Sequence, residues 1–107
     1  VDQVHLLDLR RFRPDKFLPT LVYGTRGARA FLLCLEPGQG LPPRPDSEEV
    51  LCYLMEGRAR FTRAGEVVTL QAGDLIGAAP GEERGIVAEE RAVALWIHIA
   101  APDEQHD

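Results

Sequence analysis

Gly38-Gln39-Gly40-Leu41-Pro42-Pro43-Arg44-Pro45-Asp46-Ser47-Glu48-Glu49-Val50-Leu51-Cys52-Tyr53-Leu54-Met55-Glu56-Gly57 is the stretch that decides the fold. Its first half is crowded with proline, which holds the chain extended and irregular and predicts a loop. Its second half, Val50 to Met55, is an apolar run of strand length, stopped by the turn signal Glu56-Gly57. Downstream the same rhythm repeats. Arg58 to Arg63 alternates polar residues with Ala59 and Phe61, as a half-buried strand does. Ala64-Gly65 leads into Glu66 to Gln71, and Ala72-Gly73-Asp74 turns the chain again. Leu75 to Ala79 is short and halted by Pro80-Gly81, Arg84 to Ala88 is another short strand, and Arg91 to Ala100 is the last and most apolar.

Upstream, Phe17 to Tyr23 and Ala28 to Glu36 read as strands separated by Gly24-Thr25-Arg26-Gly27, and Val4-His5-Leu6-Leu7 as one more. Arg10 to Lys16 is too polar to be a strand, and residues 101–107 read as a frayed polar tail. Helical periodicity is absent. Short apolar runs at turn spacing predict an all-β jelly-roll barrel, one domain over residues 1–107.

Composition narrows the function classes. A formal net charge of −5 argues against nucleic acid as a partner, because phosphate binding needs a concentrated basic surface. Arg10, Arg11 and Arg13 are flanked by Asp8 and Asp15 and read as a solvated face. No apolar run is long enough to cross a bilayer, and the start carries no secretory pattern, so no membrane and a cytoplasmic location are expected. Asn is absent, Ser47 is the sole Ser and Lys16 the sole Lys, a bias that fits a thermophilic or high-GC source. Cys34 and Cys52 both sit in apolar runs without C-x-x-C spacing and read as buried thiols.

The spacing from Gly38 through Arg44, Asp46, Val50 and Gly57, then from Gly73 through Pro80-Gly81 to Arg84 and Ala88, resembles the two signature motifs of the cupin family. Those are G-x5-H-x-H-x3-4-E-x6-G and G-x5-P-x-G-x2-H-x3-N, here at 38–57 and 73–88. The resemblance implies a double-stranded β-helix in which three histidines and a glutamate hold a metal. In this chain the turn glycines are kept, but the ligand positions read Arg44, Asp46, Val50 and Arg84. The proline of the second motif falls one residue late, at Pro80, and its asparagine is Ala88. A one-residue bulge would put Glu49 rather than Val50 at the glutamate position. The resemblance also implies a homodimer, with Trp96 or Tyr53 as anchors.

Guanidinium groups stay protonated and offer no lone pair, so Arg44 and Arg84 cannot ligate a metal, and no metal or other cofactor is expected. Two readings of these arginines follow. In one, they recognise a small anionic molecule, since a planar fork of donors suits carboxylate or phosphate. In the other, Asp46 pairs with Arg84 or Arg44 and fills the space, because a buried arginine needs a partner. His98, on the last strand, is the remaining titratable candidate, and Cys52 faces the interior if Val50 does. The expected function is a small-molecule binding or regulatory module. The alternatives are an enzyme, either metal-free through His98 or Asp46 or metal-dependent through Asp46, Glu49 and His98, and a structural domain with a plugged barrel.

Overall fold

The computed structural model describes residues 3–101; the predicted tail at 102–107 lies outside the described residues. Nine strands follow a short 3₁₀ turn at Leu6–Leu9: β1 Thr20–Gly24, β2 Ala28–Leu35, β3 Gly40–Pro45, β4 Glu49–Glu56, β5 Arg58–Arg63, β6 Glu66–Gln71, β7 Leu75–Ala78, β8 Glu83–Ala88 and β9 Ala92–Ile99. All pairings are antiparallel, in a five-stranded sheet ordered β1-β2-β9-β4-β7 and a four-stranded sheet ordered β3-β8-β5-β6. This is the predicted all-β double-stranded β-helix. No described helix is long and apolar enough to cross a membrane.

The core lies between the sheets and follows from period-two alternation. β4 sends Val50, Cys52 and Leu54 inward, β5 sends Ala59 and Phe61, and β9 sends Ala92, Ala94 and Trp96. Phe61 is fully buried and meets the Trp96 ring at 5.9 Å between centroids. A second, smaller cluster of Leu32, Cys34 and Val93 sits on the outer face of the five-stranded sheet, where Leu6 and Phe12 cover it.

That second cluster explains one departure from the sequence reading. Val4 to Leu7 forms no strand; the segment instead turns at Leu6–Leu9 and lays Leu6 against the sheet. The other departure is β3, whose Pro42, Pro43 and Pro45 predict an irregular loop. β3 is an edge strand that bonds only to β8, with a register shift between Leu41 and Arg44. Proline lacks only the N–H, so an edge position with a bulge tolerates it.

Trp96 is only 4% exposed and therefore cannot anchor an interface; Tyr53, on the opposite face of β4 from Cys52, is 40% exposed. Between Glu49 and Leu54 the β4–β9 register runs without a bulge, with Val50 opposite His98 and Glu49 opposite Ile99. Val50 therefore points inward and Glu49 outward.

Candidate functional site

One end of the barrel holds an open cavity of about 230 Å³, and Arg44, Asp46, Arg84 and His98 all line it. Its apolar walls come from Pro19, Phe31, Leu41, Pro42 and Trp96. Arg44 lies near the end of β3 and Asp46 just beyond it, so both side chains lie exposed at the rim rather than deep inside. Arg84, the second residue of β8, is different: it is 4% exposed, the single charged side chain buried among the described residues.

The local chain builds a cradle for that guanidinium. Pro80-Gly81 makes a turn in which the Glu82 N–H donates to Ala79 O at 3.0 Å and the Gly81 N–H donates to Asp46 O at 2.7 Å. The same carbonyls face Arg84. Its Nε donates to Glu82 O at 2.7 Å, and its Nη2 donates to Ala79 O at 3.0 Å and Asp46 O at 3.4 Å. Nη1 is buried and has no partner among the described residues. The pairing of Asp46 with Arg84 or Arg44 does not form; the Asp46 carboxylate instead accepts the Glu48 N–H at 2.9 Å. Backbone dipoles at the turn do part of what a carboxylate would have done, and among the described residues the positive charge has no counter-charge.

The sheet adds to that charge. Arg84 stands opposite Arg44 on β3 and opposite Arg63 on β5, so three arginines form one row on the inner face. Directly opposed like charges destabilise a sheet. Arg63 turns to the other sheet and donates from Nη1 to Gly77 O at 3.0 Å. Beyond it in the row stands Glu66, and among the described residues none of these three arginines forms an ion pair. On the outer surface, by contrast, Arg10, Arg29, Arg58, Arg60 and Arg91 each meet a carboxylate. The sequence reading passes over Arg63, although its two-residue spacing from Phe61 places it on the inward face.

His98 faces the cavity two residues beyond Trp96. The indole Nε1–H donates to His98 Nε2 at 3.2 Å. An indole only donates, so Nε2 must be the bare nitrogen and the neutral ring carries its proton on Nδ1. Nδ1 is buried 3.2 Å from Glu48 Oε1, and among the described residues it makes no aligned hydrogen bond. Glu48 is meanwhile held by Arg29, and Phe31 meets the imidazole edge-on at 5.8 Å.

Cys52 does not belong to the site. It faces inward as expected but lies in the packed core, away from the cavity lining. Burial pushes its thiol up to about 12 from an ordinary 9.0. A thiol held neutral is a poor nucleophile. Native protein is expected to resist iodoacetamide at Cys52 at pH 8 and to be alkylated there once unfolded, read by mass spectrometry. The linkage has a definite sign. Above pH 9.0 the unfolded chain loses the proton first, so Cys52 weakens the fold progressively from 9.0 towards about 12, by about 1.4 kcal/mol per pH unit. A Cys52→Val variant should lack that part of the alkaline decline.

The metal set fails on the same geometry. Arg44 and Arg84 have no electron pair to give, and Val50 holds the carboxylate position. The alternative trio of Asp46, Glu49 and His98 does not converge, because Glu49 and His98 lie on opposite faces of their sheet. Among the described residues no three His, Cys, Asp or Glu side chains come together as a metal group. These residues do not fit a transition metal.

Two packed antiparallel sheets with a cavity at one end define a β-barrel of the double-stranded β-helix class. The chain belongs to the cupin family: the Cupin domain matches it over residues 31–99. Solved structures agree on the fold. A protein of Thermus thermophilus, TT1209, superposes with a TM-score of 0.89 at 23% identity, covering 95% of this chain and 100% of that one. An RmlC-like cupin from Desulfovibrio desulfuricans gives 0.84 at 20% identity, with coverages of 92% and 96%. The conserved SPY1581 protein of unknown function from Streptococcus pyogenes gives 0.83 at 16% identity, with coverages of 94% and 88%. No curated protein matches the chain.

Proposed function

We propose that this cupin binds a small anionic molecule in the cavity beside Arg84 and acts as a binding or regulatory module rather than through a metal. The observation that carries this reading is a buried guanidinium that, among the described residues, has no ion pair and one unsatisfied nitrogen, at the wall of a cavity. Evolving chains rarely keep an uncompensated buried charge, because it costs several kcal/mol unless something else meets it. An anion in the cavity meets it. The cavity itself, about 230 Å³ and open, speaks against a plugged barrel.

The test is thermal unfolding at low ionic strength with acetate, benzoate, inorganic phosphate and sulfate added singly. An anion at ten times its Kd should raise stability by about 1.4 kcal/mol and the Tm by on the order of 5–10 °C. A Tm indifferent to all of them would refute anion binding at this site.

A further inference from the structure

We infer that the cavity takes a compact monocarboxylate with an apolar body, and that His98 is its second hydrogen-bond donor; this rests on the anion-binding reading above. The two unsatisfied buried side-chain atoms among the described residues are Arg84 Nη1 and His98 Nδ1. Both are N–H donors, and both belong to residues of the same cavity. Arg84 Nη1 has no acceptor among the described residues and His98 Nδ1 has only the misaligned Glu48 Oε1 at 3.2 Å, an arrangement that calls for a group with two acceptor oxygens and no proton of its own. A carboxylate is that group.

Phosphate fits less well. Its further oxygens would face Phe31, Leu41, Trp96 and the rings of Pro19 and Pro42, where they would lose water and gain nothing. Asp46 at the rim and Glu48 beside His98 oppose a second negative charge. The apolar walls instead favour a hydrocarbon body. The cavity, about 230 Å³ and open, suits a compact body. Both nitrogens are buried on residues that line the cavity, so the ligand engages them with a side-chain readjustment of the kind common at binding sites.

The experiment is calorimetric titration of the whole chain with benzoate and isovalerate, their neutral amides, phenyl phosphate and inorganic phosphate. NMR of the Trp96 indole N–H locates the site. The expected result is carboxylates binding at least tenfold tighter than their amides and than either phosphate, with the indole resonance shifting. Tighter binding of a phosphate than of both carboxylates overturns the ligand class while leaving an anion site in place. Amides binding as well as acids, or no binding by any probe, overturns this inference and the anion reading together. His98→Leu should weaken benzoate about tenfold; unchanged affinity in a folded variant overturns the role given to His98.

Discussion

Replacing Arg84 by methionine is expected to weaken benzoate binding by a factor of roughly 10–150 while leaving the fold as stable as before, or more so. The binding loss follows from removing a hydrogen bond to a charged group, about 1.5–3 kcal/mol, from a site with little other positive charge at depth. The stability expectation follows from what the guanidinium leaves behind. Ala79 O keeps the Glu82 N–H and Asp46 O keeps the Gly81 N–H, so only Glu82 O loses its partner here. Against that one loss, the variant removes a buried charge and relieves the opposition of Arg84 to Arg44 and Arg63. Exchanging buried charge for an apolar side chain of similar volume is often neutral or stabilising, by ~1–4 kcal/mol.

A structural plug would behave oppositely. Breaking a buried paired charge costs about 3–5 kcal/mol, so a large fall in urea midpoint in Arg84→Met would show that the arginine is there for the fold. Titration and urea unfolding on the one variant therefore separate recognition from architecture.

The second large effect lies far from the cavity. Gly57→Ala should destabilise the chain by about 3 kcal/mol or more, lowering the Tm by more than roughly 10 °C. Gly57 forms the β4–β5 connection with φ at +84°, and a Cβ built there would stand 2.1 Å from Arg91 O and 2.8 Å from Ala92 Cα. The left-handed backbone alone costs a side chain about 1–2 kcal/mol. The overlap is with backbone at the start of β9, so relief requires moving a central strand of the larger sheet. Gly65→Ala isolates the first contribution, because Gly65 has φ at +85° but open space around it. Equal Tm losses in the two variants would show that the close approach to β9 carries no energy.

How much of this is legible in the sequence varies with the kind of signal. β5 and β6 match their sequence bounds to the residue, because alternation and the Ala64-Gly65 turn are local features. β3 is hidden by its prolines, since whether a strand sits at an edge is a property of the sheet and not of the segment. The N-terminal segment departs from its expected strand because Leu6 and Phe12 owe their placement to a face formed by distant strands. Arg44, Asp46, Arg84 and His98 are legible as candidates and do share a cavity, whereas Cys52, a candidate on facing alone, sits in the packed core instead. Phe31 gives no sign, because only the β2–β9 register brings it opposite Trp96.

The sequence by itself determined the fold class and the replacement of the family's histidine ligands, since turn glycines and the absence of lone pairs on arginine are properties of single residues; that Asp46, Glu49 and His98 do not converge in their place was decided by strand register. Only the tertiary structure decided how Arg84 is held. Its partners are backbone carbonyls, which every residue possesses and which no sequence pattern distinguishes until the chain has folded around them.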